Sequence, residues 1–215
     1  MSLYVFALMD APIARAGRGL RGPVVVRPVA GAFAAVERRA DVPPIEFGTL
    51  QSHETIVDRL ATRVPAILPV RFGTLLSAEE LDEAMGERME EVQDAFGVVR
   101  GCVQFTWRSS SAAAITPART KTVNARSGTD YLRRLVRAAH PEPPPSFKRA
   151  RTLGTLAAAQ RFMPASGVSP AALYHLVDRR RVGAYSAAAS RVHAEAPGLS
   201  WSGPFAPYAF APELL

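Results

Sequence analysis

Apolar and polar positions change period several times along the chain, and each change marks an element. Residues 3–9 form a continuous apolar run closed by Asp10 and Pro12, the pattern of a short buried strand. Residues 23–29 are rich in β-branched side chains, and Ala30-Gly31 can turn them into a second run, 32–36, which predicts a hairpin. Ser52 offers an N-cap to a helix carrying Ile56, Val57, Leu60 and Val64 at helical spacing, and Pro65 stops it. Residues 66–72 then predict a strand with Gly73-Thr74 as its exit.

The most regular pattern follows. Ser77 and Glu80 make a capping box, in which hydroxyl and carboxylate each satisfy a free amide of the first turn. Leu81, Met85, Met89, Val92 and Phe96 then share one stripe of a helix that Gly97 closes, while Glu79, Asp82, Glu83, Glu87, Glu90, Glu91 and Asp94 occupy the rest. Residues 98–107 predict a long strand and 109–124 a polar connection that holds a further strand near 112–115. Residues 127–140 predict a helix with Tyr131, Leu132, Leu135 and Val136 on one face. Pro141-Glu142-Pro143-Pro144-Pro145 predicts an extended linker, because proline cannot continue a helix. A weaker helix over 147–163, a strand over 171–177, a helix over 182–196 and a last strand over 199–201 complete the pattern. Gly203 to Phe210 is too rich in proline for a central strand and predicts a C-terminal strap of aromatics held by stiff prolines.

This order predicts an α+β fold of two small domains, 1–96 and 97–215, the second ferredoxin-like with helices on one face of its sheet. The 215 residues suffice for one large domain or two small ones, and 48% hydrophobic with 21% charged residues is a globular composition. The longest apolar runs fall short of the ~20 residues that a membrane span needs. The neutral start, interrupted by Asp10 and Pro12, does not read as a secretory signal, so the expected location is cytoplasmic. One cysteine excludes an internal disulfide and any multi-thiolate metal site.

Charge is unevenly placed. The first 96 residues carry a net −4, residues 97–191 carry +13, and the remainder −2. An Arg-rich stretch raises nucleic acid as a partner, since such surfaces bind phosphate by releasing counterions. Against that, arginine replaces lysine throughout the chain, and no aromatic residues interleave with the charges as base stacking requires.

Candidate chemistry is sparse. Gly17-Arg18-Gly19-Leu20-Arg21-Gly22 spells a dinucleotide-type G-x-G-x-x-G, but seven residues, Pro12 among them, separate it from the preceding strand, and a strand rather than a helix follows. It reads as a flexible basic loop. His53, His140, His175 and His193 are dispersed, and His175 alternates with Tyr174 and Leu176 as a structural histidine would. Cys102 lies within a predicted strand as a buried, inert thiol. No nucleophile, base and orienting group assemble, so the sequence offers no enzyme, cofactor or metal site. Arg71 interrupts an apolar strand; an arginine there must find a carboxylate or reach water, and the expectation is a structural ion pair.

The string Leu68-Pro69-Val70-Arg71-Phe72-Gly73-Thr74, preceded by a helix bearing His53, resembles the signature of the gas vesicle synthesis L/F family (GvpL/GvpF). Leu3-Tyr4-Val5-Phe6 and Ala34-Ala35-Val36 resemble its first strands, and Ser127-Gly128-Thr129-Asp130-Tyr131-Leu132 its Gly-x-x-Tyr-Leu helix. Ser202-Gly203-Pro204-Phe205-Ala206-Pro207-Tyr208-Ala209-Phe210 is similar to its terminal Gly-Pro-Trp-Pro-Pro-Tyr-x-Phe motif, with Phe205 and Ala206 where Trp and Pro are usual. The resemblance runs from end to end. It implies a non-enzymatic accessory protein that binds the hydrophobic shell subunit (GvpA type) and other accessory proteins during vesicle assembly. By the same resemblance Leu68, Pro69, Arg71, Phe72, Gly73, Thr74, Tyr131, Gly203, Pro204, Tyr208 and Phe210 are the candidate interaction residues. The other reading left open by the residues is an Arg-rich nucleic-acid-binding module.

Overall fold

The computed structural model describes residues 2–110, 141–166 and 169–212. The predicted strand near 112–115 and the helix over 127–140, with Tyr131, lie outside the described residues.

Two compact units result, one formed by residues 2–104 with 205–212, the other by the described residues of 105–204. The division therefore falls later than the expected one after residue 96, and the last segment returns to the first unit.

The first unit is built on β1 (Ser2–Met9), whose residues from Leu3 on are all buried. On one side it pairs antiparallel with β3 (Ala32–Arg39), and β3 pairs with β2 (Val25–Val29). The β2–β3 turn is the predicted Ala30-Gly31, with φ of 43° and 86°, the left-handed pair that a two-residue hairpin needs. On its other side β1 meets β5 (Leu75–Leu76) at Leu3 and Tyr4, and β4 (Ile67–Pro69) at Ala7 to Met9. Between them, Val5 and Ala7 bracket a bulge. Helix α1 (Phe47–Ala61) lays His53, Ile56, Val57 and Leu60 into a core with Tyr4, Phe6, Ala7 and Met9.

Three sequence expectations are corrected here. Helix α1 begins five residues before Ser52, because Glu46 and Thr49 form the capping box and Ser52 instead returns its hydroxyl to the Gly48 carbonyl (2.8 Å). The strand expected over 66–72 ends at Pro69, and Arg71 to Thr74 form a turn. The acidic helix is two, α2 (Ala78–Glu87) and α3 (Met89–Val99), broken at Arg88, which leaves helical geometry and pairs with Glu91 at 2.7 Å. Gly97 lies within α3 and does not end it. The predicted stripe survives the break, with Leu81, Met85, Val92 and Phe96 buried.

The second sheet orders its strands β7-β8-β6-β9, with β6 (Cys102–Ser109), β7 (Ala159–Met163), β8 (Ala172–Asp178) and β9 (Leu199–Phe205). The helix expected over 147–163 is replaced by the short α4 (Lys148–Arg151), a 3₁₀ turn and then β7, which pairs antiparallel with β8. Helix α5 (Val182–Glu195) follows β8 as predicted. β9 runs past the expected Trp201 to Phe205, and its Pro204 is tolerated because the strand forms the sheet edge. In this unit's core Trp107 Nε1 donates to the Tyr185 hydroxyl (2.8 Å), which donates to His175 Nδ1 (2.6 Å).

Candidate functional site

The Leu68 to Thr74 segment lies along one edge of β1. Leu68 and Pro69 close β4, and the Val70 amide still donates to the Phe6 carbonyl (3.0 Å), which the β1 bulge has left unpaired with β3. The chain then leaves the edge, turns through Arg71 to Gly73, and rejoins where the Val5 amide donates to the Thr74 carbonyl (3.0 Å). The Thr74 hydroxyl and amide both return to the Arg71 carbonyl, closing the turn. Gly73 has φ of 95°, a conformation that costs any other side chain. The motif is thus a turn clipped to a buried strand at both ends.

An aromatic cluster supports it from beneath. The Gly73 amide donates to the Tyr4 hydroxyl (3.3 Å), which passes its own proton to His53 Nδ1 (2.9 Å). His53 is 3% exposed and packs against Tyr4, Phe6 and Phe72 at ring distances of 5.8, 5.5 and 5.5 Å. Burial lowers its pKa to about 4; the Val70 backbone pulls the other way, yet Nε2 has no hydrogen-bond partner at good geometry among the described residues. Burial likewise raises the Tyr4 hydroxyl to about 12. His53 is neutral at pH 7 and structural.

Arg71 is exposed, and among the described residues no carboxylate pairs with it. The expected structural ion pair is not found among the described residues: the strand ends before Arg71, and its guanidinium takes the other course open to it and reaches water. Phe72 and Thr74 are partly buried.

The C-terminal motif comes to the same unit. The Ala206 amide donates to Asp58 Oδ1 (3.1 Å) on α1, and the Ala209 amide to Gln104 Oε1 (2.7 Å). Tyr208 packs against the core that contains Tyr4 and Ile56, its hydroxyl buried without a partner among the described residues. Burial, then Asp58 and Glu54, raises its pKa. Asp58 is itself raised by burial, against the effect of the Ala206 amide. Gly203 and Pro204 join through a cis peptide at the end of β9, and Phe210 closes a 3₁₀ turn, Tyr208–Phe210. The structure so gathers Leu68 to Thr74 and Tyr208 to Phe210 on one unit, and Tyr131 is outside the described residues. Sequence reasoning missed Tyr4, Asp58 and Glu37. A tyrosine inside the apolar β1 was the available signal; Glu37, followed by Arg38 and Arg39, gave none.

Glu37 explains the glycine-rich loop. It is 1% exposed, and its carboxylate accepts from the amides of Leu20 (2.6 Å), Arg21 (2.8 Å) and Gly22 (2.7 Å). The amides that would hold a pyrophosphate in a dinucleotide site are used on an internal carboxylate. Ile13, Ala16 and Val24 anchor the loop's ends in the core, so the flexible loop expected from the sequence is corrected to a pinned one. Among the described residues no group of three or more His, Cys, Asp or Glu side chains is placed to hold a metal, and no helix is long and apolar enough to cross a membrane.

This α+β architecture, with its two sheets, is that of a known class of gas vesicle proteins. The crystal structure of the gas vesicle protein GvpF from Anabaena sp. PCC7120 superposes with a TM-score of 0.70 at 16% identity, covering 98% of this chain and 96% of that one. GvpF from Microcystis aeruginosa gives 0.71 at 14% identity, covering 98% and 99%. No curated protein matches the sequence significantly. The family model described as gas vesicle synthesis protein GvpL/GvpF matches residues 2–212, and the chain belongs to that family. Membership supports an accessory role in gas vesicle assembly.

Proposed function

We propose that this protein binds the hydrophobic shell subunit of the gas vesicle (GvpA type), together with other accessory proteins, as a nucleation or chaperone-like factor without catalytic activity. One observation carries the reading beyond family membership. Val42, Ile45, Phe47 and Leu50 are 50%, 82%, 80% and 41% exposed, an apolar run leading into α1. Val42 lies beside Gly73, within van der Waals reach of a Cβ placed there (3.6 Å). The exposed Arg71 turn and this run offer an apolar surface with a cation beside it. A shell subunit that polymerises through apolar surfaces needs such cover while free.

The finer architecture belongs to the same proposal. The strand order β7-β8-β6-β9, with α5 between β8 and β9, favours a ferredoxin-like second domain. The bonds of Ala206 and Ala209 to Asp58 and Gln104 favour a C-terminal segment acting as a strap. The site of action is the cytoplasm and the growing vesicle.

The test is a pull-down of the full chain against shell subunit and a nucleic-acid mixture, at low and raised salt. The shell subunit should be retained at raised salt, and Ile45→Ser with Phe47→Ser should abolish retention with an unchanged melt. Arg71→Ala, which loses no described partner, should leave stability within about 0.5 kcal/mol; lost capture with that melt marks Arg71 as an interface residue. Capture of nucleic acid alone, vanishing as salt rises, would overturn the proposal in favour of the Arg-rich module.

A further inference from the structure

The loop between β1 and β2 turns its amides inward onto Glu37 and its arginines outward. A cavity of about 430 Å³ on its outer side is lined by Gly17, Arg18, Arg21, Gly22 and Pro23. That volume falls within the range of small-ligand sites, roughly 300–1,000 Å³. Arg18 and Arg21 are exposed, and no carboxylate pairs with Arg18 among the described residues. Arg21 has only Asp41, at 3.8 Å, an aspartate that also faces Arg39 at 3.5 Å.

More cations stand behind the loop. Arg59 of α1 donates to the Arg18 carbonyl (2.6 Å), and Arg63 donates to the Arg15 carbonyl. The Arg59 guanidinium carbon lies 3.3 Å from where a Cβ on Gly17 would stand, so the glycine at φ 85° lets that charge pack against the loop. Arg59 Nε is buried with no partner among the described residues, an uncommitted donor beneath the loop. The Glu37 carboxylate is spent on the three amides, so Asp41 is the acidic group facing these arginines from outside.

We propose that this cavity binds the phosphate chain of a small polyphosphorylated ligand, inorganic pyrophosphate and the phosphate tail of a nucleotide sharing that chemistry. Guanidinium forks match phosphate oxygens two at a time, and the two that line this opening, Arg18 and Arg21, suit a multiply charged chain better than a single carboxylate. The mode differs from the dinucleotide arrangement that the G-x-G-x-x-G string imitates, because the amides are already occupied and side chains supply the donors. The proposal rests on the first unit alone and is independent of shell-subunit binding.

Calorimetric titration of the full chain with pyrophosphate and with ATP, at constant ionic strength, tests it. Both should bind saturably. Arg18→Ser with Arg21→Ser should weaken binding by about tenfold or more, while Arg149→Ser with Arg151→Ser, an equal loss of charge elsewhere, should leave it unchanged. All four side chains are exposed, so melts should stay at the parental value. Absence of saturable binding, or equal weakening by both pairs, would overturn the proposal. Displacement of pyrophosphate by polyglutamate at lower carboxylate concentration would replace it with an acidic protein segment as the ligand.

Discussion

Replacing Glu37 by glutamine changes one oxygen to an amide nitrogen with almost no change in volume. In the native protein the two carboxylate oxygens divide three amides, Oε2 taking Leu20 and Oε1 taking Arg21 and Gly22. A glutamine oxygen can keep the pair at Oε1, but its NH₂ must then face the Leu20 amide, donor against donor. The variant loses one charge-assisted bond, worth about 1.5–3 kcal/mol, and leaves a buried donor unsatisfied at about 1–3 kcal/mol. The remaining bonds also lose their charge assistance. The total is about 3–5 kcal/mol, and at roughly 2–4 °C per kcal/mol for a chain of this size the melt should fall by roughly 10 °C. Gly19→Ala attacks the same contact from the other side, since its Cβ would stand 2.2 Å from Oε2 of Glu37. Hydrogen exchange supplies the local readout: the amides of Leu20, Arg21 and Gly22 should lose protection in Glu37→Gln well before those of β1. A melt lowered by less than about 2 °C, with those amides still protected, would refute the view that this carboxylate holds the loop.

Acid should destabilise the protein through its buried histidines. His53 and His175 both have pKa values lowered by burial to about 4, below the ~6.5 of an unfolded chain, so the unfolded state binds more protons between those limits. Stability is full above pH ~6.5 and falls by about 2–3 kcal/mol per histidine on reaching pH 4.5, partly offset by Glu54 and Asp58, whose raised values work the other way. Urea midpoints at pH 7 and 4.5 measure this, and His175→Phe should flatten the slope. Tyr185→Phe strands both Trp107 Nε1 and His175 Nδ1 in the second unit's core, and its urea midpoint should report a loss of about 2–4 kcal/mol. Gly73→Ala meets only Val42 at ordinary contact distance, so its cost, about 1–2 kcal/mol by thermal melt, is the backbone strain of φ 95°.

What could be read from the sequence was what neighbouring residues decide. The Ala30-Gly31 hairpin, the Ser77/Glu80 capping box and the α5 helix are local, and they stand as read. The early start of α1 was hidden because Phe47 points to solvent, so its first turn carries no amphipathic signal. β7 was mistaken for helix because an edge strand of five residues, half exposed, takes its identity from a partner at Ala172 to Leu176 rather than from its own pattern. The Leu68 to Thr74 string was recognisable, but its role was not. Arg71 needs a carboxylate only if it continues a strand, and the strand ends at Pro69. Glu37 opens the charged end of β3, next to Arg38 and Arg39, and its donors come from a loop 15–17 residues earlier. Only tertiary structure joins such a carboxylate to its amides.

The return of residues 205–212 to the first unit sets a timetable for synthesis. Asp58 meets its partner amide only when Ala206 is made, 148 residues later. At roughly 5–20 residues per second, about 7–30 s separate the two on the ribosome. Throughout that interval the ground beside α1 and Tyr4 stays uncovered. The unit begun first is therefore sealed last, and a nascent chain stalled before Ala206 would expose the very seat that Tyr208 comes to fill.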